Sequence, residues 1–200
     1  MSDAKLSIIS ASSYYLIFLL SISQEESNFL TKKYIVKSCL YHSFAVPLQK
    51  TENMAYKVQE IANKLIKLAD IDEANGGDAM TNLRLQKLLY YEQGYHLALF
   101  GTPLFNEDIE SWMYGPVVPT VYNEFSKYGK NVLPVPESVI ELSDKEERLF
   151  NQVFDSLREF SAIGLMNLTH KEAPWKNAFP HDRGTIINKD SMKEFFKTQL

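Results

Sequence analysis

Residues Asn82–Phe100 constrain this chain more than any other stretch. Leu83, Leu85, Leu88, Leu89, Tyr91, Tyr95, Leu97 and Leu99 wrap most of the circumference of a helix drawn through them. A helix that is apolar nearly all round must be covered on nearly all sides, so the rest of the fold has to be built around it. Thr81 stands where an N-cap belongs. Gly101, Thr102 and Pro103 end the segment. Gly94 inside it costs about 1 kcal/mol against alanine, which predicts the close approach of another backbone at that point.

The flanking segments supply partners for such a helix. Val58, Ile61, Ala62, Leu65, Ile66 and Ala69 recur at helical spacing, with Lys57, Glu60, Asn63, Lys64 and Lys67 on the opposite face. Ile71 to Thr81, with Gly76 and Gly77, reads as a loop. Pro134 and Pro136 mark a second extended connection. Ser143 and Glu146 have capping-box spacing, ahead of a helix with Leu149, Phe150, Val153, Phe154, Leu157 and Phe160 on one face. Ser161 starts a helix carrying Leu165 and Leu168, Pro174 a further turn with Trp175 and Phe179, and Asp190 a last helix with Met192, Phe195 and Phe196.

Between Leu104 and Val118 the period changes. Ile109, Ser111 and Met113 alternate with Glu110, Trp112 and Tyr114, the pattern of a short hairpin or extended arm closed by Gly115 and Pro116. Pro119 suits the first turn of a helix that carries Val121, Tyr122, Phe125 and Tyr128 and stops at Gly129. The expected fold is therefore mainly α. It is a compact multi-helix single domain over residues 54–200 with a small antiparallel β-hairpin or extended arm, preceded by an apolar N-terminal extension over residues 1–53.

That extension has a character of its own. Leu6 to Gln24 carries no charge, yet Ser7, Ser10, Ser12, Ser13, Ser21 and Ser23 dilute it. Three readings stand open: upstream sequence ahead of a true start near Met54, a hydrophobic anchor, or an accessory helix. An anchor followed by Lys32, Lys33 and Lys37 would leave the domain on the cytoplasmic side.

Composition narrows the chemistry. The net charge is −4, and the longest basic run is the pair Lys32 and Lys33, which disfavours direct nucleic-acid binding. The single cysteine, Cys39, rules out an internal disulfide and fits a reducing compartment. His42, His96, His170 and His181 show no metal-ligand spacing, so no metal and no cofactor is expected. Neither a G-x-S-x-G elbow nor a phosphate-cradling G-x-x-x-x-G-K-[ST] loop occurs, and no catalytic residue is assigned.

Three stretches resemble a known family. Leu83-Arg-Leu-Gln-Lys-Leu-Leu-Tyr-Tyr-Glu-Gln-Gly94 is similar to the hallmark helix of the Panacea domain. Trp112-Met-Tyr-Gly-Pro-Val-Val-Pro-Thr-Val-Tyr122, with Phe125, Tyr128 and Gly129, resembles its second motif, in which a basic residue usually stands where this chain has Met113. Leu168-Thr-His170, with Pro174, Trp175 and Ala178, resembles its third. The family includes SocA-like antitoxins and phage-associated proteins of the GepA type. The resemblance implies a mostly helical fold in the cytoplasm. It also implies the neutralisation of a partner toxin by direct protein binding, the toxin being encoded by an adjacent gene. A protease or the operon's own DNA would be secondary partners, for an adaptor or a regulator respectively, and no small-molecule substrate is implied. A membrane would be a partner only if residues 6–24 are an anchor.

Trp112, Tyr114, Gly115, Pro116, Pro119, Tyr122, His170 and Trp175 are the candidate partner-binding residues. Exposed Trp and Tyr on a hairpin offer large contact area at low entropic cost, although the same residues serve equally as packing around a turn. His170 with Glu172 and Trp175 is the most chemical-looking cluster. A hydrolase would need His170 joined to a second titratable group in a pocket. The plainer expectation is that Thr169 caps a turn and His170 bonds the main chain.

Overall fold

The computed structural model describes residues 55–74, 76–179 and 184–200. The apolar stretch Leu6–Gln24, the lysines behind it, Cys39, His42, Met54 and His181–Arg183 lie outside the described residues. Among the described residues there are seven α-helices and a three-stranded antiparallel sheet, the mainly α fold with a small β element that the sequence predicts. No helix among them is long and apolar enough to cross a membrane.

The helices are α1 (Val58–Glu73), α2 (Asn82–Phe100), α3 (Pro119–Phe125), α4 (Asp144–Leu157), α5 (Ala162–Thr169), α6 (Ala173–Ala178) and α7 (Lys189–Lys197). The strands are β1 (Glu110–Trp112), β2 (Gly115–Val117) and β3 (Thr185–Ile186), in the order β2-β1-β3. Helix α2 is the axis of the molecule, and α7, α4, α5, β2, α1 and α3 all pack on it. Leu85, Leu88, Leu89, Tyr90, Tyr91, Tyr95 and Leu97 are all buried, as an all-round apolar helix requires.

Local signals place most helix ends. The Thr81 hydroxyl accepts from Arg84 N, and Ser161 does the same for Gly164 N. Ser143 and Glu146 form the expected capping box at the head of α4. Four boundaries differ from the sequence reading. Helix α3 ends at Phe125, with Tyr128 in the 3-10 turn Ser126–Tyr128 ahead of Gly129, and α4 ends at Leu157, short of Phe160. Helix α1 runs on to Glu73 rather than stopping near Ala69. Helix α7 is capped by Asn188, whose Oδ1 accepts from Asp190 N and Ser191 N, so Asp190 lies inside the first turn.

Two expectations about packing are corrected. What crowds Gly94 is the ring of Phe196 on α7, which occupies the space a Cβ would fill; the nearest atoms there are ring carbons, not backbone. Phe196 also meets Tyr90, Tyr91 and Tyr95 edge-on, at centroid distances of 5.4, 6.0 and 4.9 Å. Lys64, assigned to the exposed face of α1, is buried. It pairs with Glu147 at 2.9 Å and donates to Ile140 O at 3.3 Å, a partner 76 residues away.

Candidate functional site

The hairpin is fastened to α2 by polar side chains that the apolar pattern of α2 conceals. Gln86 Oε1 accepts Val118 N at 2.8 Å, and Lys87 Nζ donates to Pro116 O at 2.7 Å. Two turns on, Gln93 accepts from Leu104 N and Phe105 N and donates to Phe105 O, fixing the chain as it leaves the helix. His96 bonds Thr102 O and the Glu146 carboxylate. Each satisfies a buried main-chain or carboxylate group that would otherwise cost free energy. Burial pushes the Lys87 amine down from 10.5 to about 7.

Gly115 makes the fit of hairpin to helix close. Its φ is 95°, and an added Cβ would lie 2.8 Å from both Lys87 Cε and Thr169 Oγ1. Pro116 pairs with Ser111 in the hairpin register, so its carbonyl turns outward to Lys87. The turn itself is Met113-Tyr114, and both side chains stand in solvent, 66% and 64% exposed.

Behind the hairpin lies a stack of rings. His170 and Trp175 are parallel at 4.1 Å, and Trp175 and Phe179 at 4.4 Å. Trp175 Nε1 donates to Trp112 O, and the His170 ring hydrogen-bonds the main chain of Met113. Burial, and then the nearby Lys87 amine, push His170 below its ordinary value, with the Met113 bond opposing them in part. Glu172 turns the other way and accepts from the Tyr91 hydroxyl at 3.1 Å.

In front of the hairpin is an apolar groove of about 750 Å³. One wall is the start of α2, with Asn82, Leu83 and Gln86; the other is the hairpin, with Trp112, Met113, Tyr114 and Val117. Tyr122, Ser126, Gly129 and Phe179 complete it. Trp112 and Tyr122 meet edge-on at 4.9 Å, and Trp112 Nε1 is held by Glu110 at 2.7 Å. No lining residue carries a charge.

The candidate residues from the sequence thus separate by position. Trp112, Tyr114 and Tyr122 line the groove. Gly115 and Pro116 are buried in β2, Pro119 opens α3, and His170 and Trp175 support the hairpin from behind. Leu83, Met113, Val117 and Phe179 also line the groove and were not singled out. For Met113 the available signal is a large apolar residue at a turn, where small polar residues are usual. Among the described residues, no group of three or more His, Cys, Asp or Glu could hold a metal ion.

Comparison with known proteins accords with the three motifs. Residues 85–176 match the family described as antitoxin SocA-like, Panacea domain. Over 50 residues the chain is 50% identical to the protein named Antitoxin SocA of Caulobacter vibrioides (strain NA1000 / CB15N). That stretch covers 25% of this chain and 27% of that protein, so the chain spans about a quarter of the length of the relative it matches. No solved structure matches the chain.

Proposed function

Residues 85–176 match the SocA-like Panacea domain, and from that premise we propose that this protein is an antitoxin that neutralises a protein toxin by binding it at the groove between α2 and the hairpin. The observation that carries this reading is the groove itself. It is apolar and uncharged, it is walled by the second motif, and four large side chains at its rim are exposed: Met113, Tyr114, Tyr122 and Phe179. Aromatic and methionine side chains gathered round a pocket are the usual material of interface hot spots. The polar groups of the hairpin are meanwhile consumed in holding it to α2. The protein acts by binding rather than by catalysis, in the cytoplasm, on the product of a neighbouring gene.

The test is a growth experiment. The adjacent gene is expressed alone and then with this chain, with Trp112→Ala and Met113→Glu forms of the chain run beside it. Arrest by the neighbour, relief by this chain and no relief by folded groove variants is the expected outcome. A toxic neighbour relieved equally by the groove variants would move the interface elsewhere, and a harmless neighbour would remove the toxin assignment.

A further inference from the structure

We infer that what the groove accepts from its partner is an α-helix presenting an uncharged apolar face, and not a β-strand added to the sheet. The inference rests on the groove being the binding surface and goes further by naming the shape and chemistry of its occupant.

The edge of the sheet beside the groove decides against a strand. Strand addition draws its affinity from main-chain hydrogen bonds to a free edge. The free edge here would be that of β2, since β2 is the terminal strand on the groove side and β3 contributes no lining residue. At the outward-facing position of β2 stands Pro116, which has no N–H to give. Its carbonyl already takes the Lys87 amine at 2.7 Å, and the next N–H along, that of Val118, is held by Gln86 at 2.8 Å. Helix α2 has occupied the edge with its own side chains.

The amides on the α2 wall are committed as well. Gln86 Nε2 donates to Asn82 Oδ1 at 3.0 Å, and Asn82 Nδ2 donates to Tyr122 O at 3.1 Å. A segment with unpaired main-chain groups would bury them against a surface with few partners to offer, which is costly. A helix brings its main chain already paired and asks only for apolar contact. A charge on the inserted face would be desolvated with no counter-charge among the lining residues. The exposed rim favours the same occupant, since Met113 adapts its shape to a ridge of side chains and Tyr114 keeps its hydroxyl in water.

The test uses the full chain and three dye-labelled peptides of about 18 residues, read by fluorescence anisotropy. The first carries Leu and Phe at helical spacing on one face. The second has the same composition with its apolar residues at every other position. The third is the first with one glutamate at the centre of the apolar face. The first peptide is expected to bind, the other two roughly tenfold or more weakly, and Met113→Glu, its fold checked by circular dichroism, is expected to abolish binding of the first. The inference is overturned if the alternating peptide binds as well as the helical one, if Met113→Glu does not matter, or if no peptide binds. A chain that protects cells in the growth test but ignores the helical peptide would sink this inference alone. A chain that binds the peptide at the groove yet relieves no toxicity would sink only the antitoxin reading.

Discussion

The indole N–H of Trp175 donates to the main-chain oxygen of Trp112 at 3.0 Å, joining two tryptophans that are 63 residues apart in the chain. The bond ties the third motif to the strand that forms one wall of the groove. Trp175→Phe keeps a ring to stack on His170 and Phe179 but removes the donor. It is expected to lower stability by about 0.5–1.5 kcal/mol in urea denaturation. Trp175→Ala loses the stack too and is expected to cost about 3–5 kcal/mol. Equal losses for the two variants would show that the hydrogen bond, not the ring, is what matters.

Lys87 makes stability depend on pH in the alkaline direction. Its amine is held at about 7 by burial, against 10.5 when exposed. Between those values the unfolded chain binds a proton that the folded chain does not, so stability rises with pH across the window and is lost as pH falls to 7. The Pro116 carbonyl accepts from the amine, and His170 lies close enough to feel its charge. The full window is worth roughly 3–5 kcal/mol. Tyr90 and Tyr91, whose phenols burial raises well above 10.0, oppose the trend at its upper end. Denaturation at pH 7 and pH 9 is therefore the measurement, and Lys87→Met is expected to flatten the difference.

Glu146 works at the acid end. Burial alone would raise its carboxyl, but hydrogen bonds from His96, Ser143 and Tyr56 hold it at about 2, against 4.5 ordinarily. The stability it contributes is present above pH 4.5 and is lost as pH falls towards 2. Glu146→Gln is expected to remove roughly 2–4 kcal/mol at neutral pH and to make the acid limb of the stability profile shallower. An acid limb as steep as that of the unsubstituted chain would refute the assignment.

Gly94→Ala sets two effects against each other. Alanine gains about 1 kcal/mol in helix propensity. Its methyl group enters the space of the Phe196 ring, and overpacking of that kind costs about 1–3 kcal/mol. A net loss is expected. Combining it with Phe196→Leu should give back part of that loss, which a double-mutant cycle in urea would measure.

The helical frame was largely legible because its signals are local. Thr81, Ser143 and Ser161 cap helices within three residues of themselves, and the stripes of α1 and α4 repeat within a few turns. What escaped depends on partners far along the chain. Strand β3 is two residues whose meaning comes from β1, with Ser111 paired to Thr185. Lys64 reads as exposed until Ile140 is brought to it. Asn188 and Asp190 are both competent caps two residues apart, and only the path of the preceding strand selects one. In the site, Trp112, Tyr114 and Tyr122 could be named from their motif, whereas Phe179 joins the groove only through the stack on Trp175. The buried polar residues of α2 were partly hidden for the same reason. A lysine or glutamine inside an apolar helix is explained by the main-chain groups it meets, and those belong to other elements.

The division of labour around the hairpin also bears on how such a protein can change over generations. The bonds that hold the frame are made by Gln86, Lys87 and Trp175 to main-chain atoms, and a main-chain atom is the same whatever residue carries it. The side chains at the tip, Met113 and Tyr114, stand in solvent, and substitutions at such places usually alter stability by no more than about 0.5 kcal/mol. On the proposed reading, in which these side chains meet the partner, a lineage could rewrite the contact face without renegotiating the fold. On that reading, adaptation to a new partner would be a matter of a few turn residues, with the scaffold carried forward unchanged.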